Sequence, residues 1–252
     1  MTLVNDERVA HREVRNPFLE VSQLSVWFGG VGAVKNVDLV VGEGEVVGLI
    51  GPNGAGKTTF LDGVSGMVPA TGQVLLKGRD ISKLAPFRRV RAGLARTFQR
   101  GDALRDLTTG QLVELSVAAC KGERSPLLDD VLQRLEFDRF ADRSLSELPA
   151  GSRRLVSVAA AVATNPQVLM LDEPAAGLST DEAMELSEVV RFLGASGLGV
   201  LVIDHNVGFV ARTTDYIYML HLGNLEFAGT PEEMRSSETV KSIYLGSGVD
   251  DE

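Results

Sequence analysis

Nine consecutive residues combine three glycines with a lysine and two threonines, residue types that together suit phosphate binding. We call this segment the phosphate loop; it comprises Gly51, Pro52, Asn53, Gly54, Ala55, Gly56, Lys57, Thr58 and Thr59. Glycines let a loop turn its backbone N–H groups towards a phosphate at a helix N-terminus. Lys57 would reach the β- and γ-phosphates of a nucleotide, and the Thr58 hydroxyl would bind Mg²⁺. Gly54 and Gly56 would permit a close backbone approach that a β-carbon would obstruct.

The segments on either side of the phosphate loop decide between phosphate binding and a chance glycine turn. Before the loop, the apolar run Val46–Ile50 has the continuous pattern of a strand buried on both faces. After it, Phe60, Val64 and Met67 recur at helical spacing, and Gly66 suggests where that helix ends. The order strand, loop, helix favours phosphate binding.

Two adjacent carboxylates, Asp172 and Glu173, follow a second apolar run and form what we call the acidic pair. In α/β folds, ligands bind at the carboxyl ends of the strands, where these side chains would lie. Asp172 would hold Mg²⁺ directly or through water, and Glu173 would polarise the water that attacks the γ-phosphate. Carboxylates after a strand are also common helix caps. The upstream phosphate loop favours the catalytic interpretation.

Composition and charge exclude several other classes of protein. The 252 residues are 44 % apolar and 23 % charged, which is typical of a globular protein with a full core. The net charge of −9 disfavours a protein that coats nucleic acid. Cys120 is the single cysteine, so no internal disulfide can form and a reducing cytosol fits best. No apolar run approaches the ~20 residues that a membrane-spanning helix needs.

The order of the predicted elements indicates one α/β domain of the P-loop NTPase class. Residues 1–16 mix charges without an apolar centre, so we expect a flexible extension there and a single domain over 17–252. Apolar residues from Phe18 onwards predict an antiparallel β subdomain. Residues from about 100 to 150 lack strand patterns and predict a helical subdomain with a break at 122–126. Helices and strands then alternate, which indicates a parallel sheet; the expected helices cover 153–164 and about 183–193, and the strands 168–171 and 200–203.

Taken together, these segments resemble the ATP-binding cassette (ABC) family over nearly the whole chain, from Phe18 to Gly246. The resemblance implies that the chain binds ATP and Mg²⁺ and hydrolyses ATP to drive a membrane transporter.

Three further residues match positions that act on the nucleotide in that family. Phe28 matches an aromatic ring that stacks on adenine, although strand aromatics are usually core residues and the neighbouring Trp27 is an alternative. Gln99 resembles the glutamine that joins the Mg²⁺ shell, with an ordinary surface glutamine as the alternative. His205 resembles the switch histidine that contacts the γ-phosphate, whereas a lone histidine is more often structural.

One segment departs from the family's signature sequence, Leu-Ser-Gly-Gly-Gln. We call it the signature loop; it comprises Leu148, Pro149, Ala150, Gly151 and Ser152. In the family this loop and the helix after it complete an ATP site on the opposite subunit. Pro149 lacks both the hydroxyl and the N–H, but proline fits the first turn of a helix, so the dipole contribution would survive. We expect Ser152 to replace part of the lost hydrogen bonding.

Ser179 stands where the family often has an aspartate that faces the other subunit. Ser179 and Glu182 also have the spacing of a capping box at the start of the helix that follows. Helix capping and a contact across a dimer both remain open from the sequence.

Several passages resemble the ATPase subunits of branched-chain amino acid importers, among them Arg96-Thr-Phe-Gln99, Asp172-Glu-Pro-Ala-Ala-Gly-Leu178 and the tail Gly229-Thr-Pro-Glu-Glu233 to Tyr244-Leu-Gly246. This resemblance implies a homodimer, or a heterodimer with a paralogous ATPase, beneath transmembrane permease subunits at the cytoplasmic face of the membrane. It also implies a separate solute-binding protein if the transporter is an importer, and no nucleic-acid partner.

Three other functions remain as alternatives. Lipopolysaccharide-export ATPases share the same tail. A soluble ABC ATPase without a permease would usually carry two cassettes or large insertions, neither of which is present. A small-molecule P-loop kinase would transfer phosphate to an acceptor, and His205 and the signature loop disfavour it.

Overall fold

A computed structural model of the chain describes residues 12–97, 107–120 and 124–246, which contain ten strands and nine α-helices. The strands are β1 (Pro17–Phe28), β2 (Val31–Gly42), β3 (Val46–Ile50), β4 (Thr71–Leu76), β5 (Arg79–Asp80), β6 (Leu94–Arg96), β7 (Val168–Asp172), β8 (Gly199–Ile203), β9 (Tyr216–His221) and β10 (Asn224–Gly229). The helices are α1 (Lys57–Ser65), α2 (Pro86–Ala92), α3 (Thr109–Cys120), α4 (Pro126–Arg134), α5 (Ala150–Val162), α6 (Thr180–Ala195), α7 (Val207–Thr213), α8 (Pro231–Ser236) and α9 (Glu238–Gly246).

The first sheet is the antiparallel β region that the sequence predicts. Its strand order is β2-β1-β4-β5, and the long β1 and β2 form a hairpin whose last pair is Phe28 with Val31. Alternating burial along β1 and β2 leaves one face of this sheet on the core, as is usual for antiparallel sheets. The expected antiparallel subdomain is therefore confirmed.

The second sheet carries the carboxyl ends at which the chemistry was predicted. Its order is β10-β9-β3-β8-β7-β6, and every pair is parallel except β9 with β10. All residues of β3, β7 and β8 are buried, which explains why these strands read as continuous apolar runs. The carboxyl ends of β3, β6, β7 and β8 thus lie along one edge of the sheet.

The parallel sheet separates two apolar cores. Val46 and Ile50 of β3 pack in the core shared with the helices, whereas Val47 and Leu49 pack in the core shared with the antiparallel sheet. Residues on β7 and β8 divide between the two cores in the same alternating way. The sheet edge at which β3, β7 and β8 end is therefore held in place by packing on both faces of the sheet.

The helices expected between 100 and 150 are present as α3 and α4, which lie on either side of the expected break. Both pack against α5, and Val113, Val117, Leu128 and Val131 belong to the same core as α5. The boundaries of the helical subdomain stay a prediction. Helix α5 begins at Ala150, three residues before the expected start, because Pro149 is its N-cap.

The segment before β1 differs in part from the expected flexible extension. Arg12 forms an ion pair with Glu45, and its guanidinium lies 4.0 Å from the centre of the Tyr216 ring. The Asn16 side chain donates to Glu43. Charge pairing and cation–π contact therefore hold residues 12–16 on the domain. Residues 1–11 lie outside the described ranges.

None of the helices in the described ranges combines the length and apolar character needed to span a bilayer.

Candidate nucleotide site

The phosphate loop connects the buried strand β3 to helix α1, as predicted. Helix α1 has Gly56 as its N-cap, with no hydrogen bond from a capping side chain and no acidic residue in the first turn. The first N–H groups of such a helix need an acceptor from outside, and the helix dipole favours an anion there. The N-terminus of α1 is therefore available for a phosphate.

Two glycines of the loop are required by close contacts with the chain's own backbone. A β-carbon on Gly51 would lie 2.2 Å from the Leu220 carbonyl oxygen, and one on Gly56 would lie 2.3 Å from the Ala33 carbonyl oxygen. Gly54 has open space around it, and its φ of 79° is what favours glycine there. The close contact at Gly56 is with β2 of this chain, and the approach of the loop backbone to a phosphate stays a prediction.

Lys57 is buried at the first position of α1. Its ammonium group donates to the Gly51 carbonyl at 2.6 Å and to the Pro52 carbonyl at 3.1 Å. Burial lowers the pKa of this ammonium group, and the neighbouring carboxylates of Glu173, Asp204 and Asp172 oppose that shift. The loop therefore holds its cation in place beside the acidic pair.

The remaining residues of the loop leave one side open. Asn53, Gly54 and Thr58 are exposed, Thr59 is half-buried, and Ala55 is buried beneath them. The Thr58 hydroxyl is accordingly accessible to a ligand. A phosphate held by the loop would be covered by this chain from one side only.

Asp172 ends strand β7, and its two carboxylate oxygens have different surroundings. Oδ2 accepts from Arg96 Nη2 at 2.7 Å, whereas Oδ1 is buried and has no hydrogen-bond partner among the described residues. A buried carboxylate oxygen without a partner is costly. Since carboxylate and hydroxyl oxygens are the ligands that Mg²⁺ prefers, Asp172 Oδ1 and the open Thr58 hydroxyl fit the predicted metal.

Glu173 adopts a backbone conformation that is uncommon for a residue with a side chain. Its φ is 44°, and its N–H donates to the Ile203 carbonyl at 2.7 Å. Left-handed conformations of this kind persist only where neighbouring contacts enforce them, and they concentrate at functional sites. The contact with β8 enforces the turn that carries the predicted catalytic carboxylate out of the sheet.

Asp204 connects the segment after the acidic pair to the turn that carries His205, and it is not among the residues predicted from the sequence. Its fully buried carboxylate accepts from the Ala175 N–H at 2.8 Å and from the Asn206 N–H at 2.9 Å. His205 Nδ1 lies 3.6 Å from Asp204 Oδ1, and just over half of the His205 side chain is exposed. The available signal was a carboxylate at the end of an apolar strand, immediately before the histidine.

Phe28 lies at the tip of the β1–β2 hairpin, with 53 % of its surface exposed. It is therefore not a core residue, and neither is Trp27, whose ring lies over Gly32. Because Ala33 of β2 contacts Gly56, this hairpin lies beside the phosphate loop. Stacking of Phe28 on adenine stays a prediction. Gln99, the third metal ligand predicted, lies outside the described residues.

The signature loop leads into α5 with Pro149 as the N-cap, so its missing N–H costs no bond within the helix. Leu148 is buried, Ala150 is exposed and Ser152 is half-buried. The Pro149 side chain makes no capping hydrogen bond to the first N–H groups of α5. Instead, the Gly151 N–H donates to the carboxylate of Glu182.

Ser179 is the N-cap of α6, and it forms the predicted capping box with Glu182. The Ser179 N–H and hydroxyl both donate to Glu182 Oε2 at 2.9 Å, and the Glu182 N–H donates back to the hydroxyl. These bonds lower the pKa of Glu182, the backbone bond from Ser179 being the largest cause. The capping interpretation is confirmed. The contact across a dimer stays a prediction.

Comparison with known proteins agrees with this site. A family model described as "ABC transporter" matches residues 34–176. The chain is 36 % identical over 250 residues to the high-affinity branched-chain amino acid transport ATP-binding protein LivG of Salmonella typhimurium, covering 91 % of this chain and 98 % of that protein. It is 34 % identical over 233 residues to the lipopolysaccharide export system ATP-binding protein LptB of Escherichia coli, covering 90 % and 97 %.

The fold agrees as well. An ATP-binding cassette of an ABC transporter, solved in its ADP conformation, superposes with a TM-score of 0.82 at 29 % identity, over 91 % of this chain and 99 % of that one. The expected ABC-type α/β fold is confirmed. The matched family, the two relatives and the strand-loop-helix site together show that the chain belongs to the ABC transporter family, as one of its ATP-binding, ATP-hydrolysing subunits.

Proposed function

We propose that the edge formed by β3, β7 and β8 binds Mg–ATP and hydrolyses it to drive a membrane transporter. One observation carries this proposal: Lys57, the acidic pair and His205 follow three adjacent parallel strands, and a buried oxygen of Asp172 faces no partner among the described residues. Charged groups gathered at strand carboxyl ends are typical of nucleotide sites.

Each side chain has a separate role in this proposal. The phosphate loop and Lys57 bind the β- and γ-phosphates, and Thr58, Asp172 and Gln99 hold Mg²⁺. When bound, the ion neutralises charge on the phosphate oxygens. Glu173 takes a proton from the attacking water, His205 contacts the γ-phosphate, and Phe28 stacks on adenine. Asp204 orients the turns that carry Glu173 and His205.

We further propose that two subunits work together, either two copies or one copy with a paralogue. Support comes from the open side of the phosphate loop and from the N-terminus of α5, whose N-cap makes no side-chain hydrogen bond. In such a pair the signature loop of one subunit, residues 148–152, would cover the ATP bound by the other. Loss of the γ-phosphate would remove contacts that favour the closed pair, and would reopen it.

The proposed assembly places this chain on the cytoplasmic face of the membrane, beneath transmembrane permease subunits. The passages shared with branched-chain amino acid importers favour import of such an amino acid or a related small solute, with a separate solute-binding protein. Lipopolysaccharide export is the second candidate, favoured by the similar coverage and identity of the LptB relative. The net charge of −9 disfavours nucleic acid as a partner.

Co-expression with the neighbouring membrane subunits tests the transport proposal. We expect the chain to co-purify with them, and phosphate release from Mg–ATP without any acceptor. Stimulation of ATPase activity by a solute-binding protein loaded with leucine, isoleucine or valine would support import, and stimulation by lipopolysaccharide would support export. Active ATPase that never associates with a membrane subunit would instead identify a soluble ABC ATPase.

A further inference from the structure

A buried arginine outside the predicted site joins Asp172 to the helix of the phosphate loop. Arg96 Nη2 donates to Asp172 Oδ2 at 2.7 Å, and Arg96 Nη1 donates to Asp62 Oδ1 at 2.5 Å and to the Ser65 hydroxyl at 3.3 Å. Only 10 % of the Arg96 side chain and 3 % of that of Asp172 are exposed. Paired charges with this little exposure are held much more firmly than surface pairs.

The position of Arg96 follows from the parallel sheet. It ends strand β6, which pairs with β7, so both side chains emerge from neighbouring strands at the same edge. The next residue reinforces this register, because Thr97 N–H donates to the Met170 carbonyl and the Asp172 N–H donates to the Thr97 hydroxyl. The carboxylate of Asp172 is thus fixed through its backbone and through one oxygen.

The other end of the Arg96 bridge lies close to the second proposed metal ligand. Asp62 is four residues after Thr58 on α1, so the two side chains lie on the same face of the helix, one turn apart. The forked guanidinium therefore connects the strand that carries Asp172 with the helix that carries Thr58. Arg96 thus spans the two segments that carry the predicted ligands.

We propose that Arg96 is a positioning residue for the metal: it holds Asp172 by Oδ2, turns Oδ1 towards the metal, and keeps Thr58 at the matching distance. The proposal rests on the proposed function, since it requires that Asp172 and Thr58 bind Mg²⁺. Hydrogen-bond partners of metal ligands commonly orient them in this way. A purely structural ion pair would hold α1 on the sheet without affecting the metal.

Metal binding can be measured without turnover. In a Glu173→Gln background with saturating ATP, Mn²⁺ replaces Mg²⁺ and its free concentration is followed by electron paramagnetic resonance. We expect Arg96→Gln to weaken Mn²⁺ binding about 10- to 100-fold, the usual cost of losing such a partner. The affinity for a fluorescent ATP analogue in EDTA should change less than about twofold, because the phosphate loop is intact.

Arg89 offers a matched control. It is a buried arginine that also contacts α1, donating to the Val64 and Gly63 carbonyls, but it makes no hydrogen bond to Asp172. Arg89→Gln should lower the thermal unfolding temperature and leave the Mn²⁺ affinity unchanged. Equal loss of Mn²⁺ affinity in both arginine variants would overturn the proposal, and so would wild-type affinity in folded Arg96→Gln.

Two milder variants keep the test decisive if Arg96→Gln does not fold. Arg96→Lys retains the charge but reaches one carboxylate at a time, and Asp62→Asn removes the negative charge on the α1 side of the bridge while leaving the Ser65 hydroxyl. Both should weaken Mn²⁺ binding by less than Arg96→Gln, and unchanged affinity in both would refute the role of Arg96. Failure of the background protein itself to bind Mn²⁺ with ATP would count against the metal assignment of Asp172, which is a separate failure.

Discussion

The phosphate loop and the signature loop both lead into a helix whose N-terminus lacks a capping side chain, yet their surroundings differ. At α1, Lys57 and the acidic pair surround the helix end, and Asn53, Gly54 and Thr58 are open to a ligand. At α5, a carboxylate of the same chain, Glu182, accepts from the Gly151 N–H. A helix N-terminus without a capping side chain is left open for an outside anion at α1 and receives an internal carboxylate at α5.

This difference follows from what each helix packs against. Helix α1 begins at the carboxyl edge of the parallel sheet, where three neighbouring strands supply charged side chains to one point. Helix α5 begins beside the first turn of α6, and Gly151 lies so close that a β-carbon there would be 2.4 Å from Glu182 Oε1. The sheet edge thus gathers the charged side chains of the candidate site, whereas the signature loop would, in the proposed pair, cover ATP bound by the other subunit.

The largest expected effect is at the sheet edge. Glu173→Gln removes the proposed base while keeping the size of the side chain, so kcat should fall about 10²- to 10⁴-fold. ATP affinity should stay near that of the wild type, and ATP should trap a dimer, detectable by light scattering. Glu188→Gln, on the exposed surface of α6, is the control and should leave kcat unchanged. Native ATPase activity in Glu173→Gln would show that another group acts as the base.

Lys57→Ala should weaken nucleotide binding itself. Losing a charged hydrogen-bond donor to phosphate costs about 1.5 to 3 kcal/mol, which corresponds to a loss of affinity of about 10- to 150-fold. Equilibrium binding of a fluorescent ATP analogue measures the change. Lys77→Ala removes a cation that contacts only the Phe18 ring among the described aromatics, and should bind as the wild type does. Full affinity in Lys57→Ala would contradict the proposed phosphate loop.

The parts that the sequence predicted correctly are those that depend on neighbouring residues. A buried strand, a glycine loop and a helix follow each other within 46–66, and the acidic pair directly follows its own apolar strand. Arg96 and Asp204 were missed because their partners lie 76 and 29 residues away in the chain. No spacing rule joins residues so far apart; the register of parallel strands brings them together.

Other differences came from features that leave a weak sequence pattern. Most residues of strands β4 and β10 are exposed or half-buried, so these strands lack the apolar runs that identified β3, β7 and β8. The sequence places the start of α5 three residues too late because residues 150–152 belong to a predicted loop, whereas the structure has Pro149 as the N-cap and begins the helix at Ala150. Glu182 was correctly assigned to the capping box, but its bond to Gly151 depends on how two helices pack.

The signature loop should respond less than the sheet edge. Ser152→Ala removes the hydroxyl that we expect to replace part of the missing signature contact, so the ATPase rate should fall a few-fold, about the cost of one neutral hydrogen bond. ATP affinity of the isolated subunit should not change. Ser196→Ala, which removes an exposed hydroxyl at the end of α6, is the matched control. An unchanged ATPase rate in Ser152→Ala would remove this role of the hydroxyl.

Glu182 contacts the starts of both α5 and α6, and a second capping glutamate allows the contribution of the α5 contact to be measured apart from ordinary helix capping. Glu233 occupies the same place in the capping box of α8 and accepts from the Thr230 N–H at 2.7 Å. Glu182→Ala loses bonds to the starts of two helices, whereas Glu233→Ala loses those of one. We therefore expect the urea midpoint to fall further for Glu182→Ala. Equal midpoints would mean that the Gly151 contact contributes nothing to folding.

The smallest effect concerns the support that α9 gives to the phosphate loop. Tyr244 of α9 lies beside the Gly51 backbone, and burial raises the pKa of Tyr244 to about 12. Because the unfolded chain releases this proton near pH 10, the free energy of unfolding should decrease as the pH rises from 10 to 12.

Burial also raises the pKa of Tyr218 to about 12, so Tyr244→Phe should remove only part of that decrease in urea titrations. Tyr218→Phe should likewise remove part of the alkaline decrease. It should not alter ATP affinity, because the Tyr218 hydroxyl accepts from the Val40 N–H of the antiparallel sheet. An alkaline decrease identical to that of the wild type in Tyr244→Phe would show that its hydroxyl is not held in the fold.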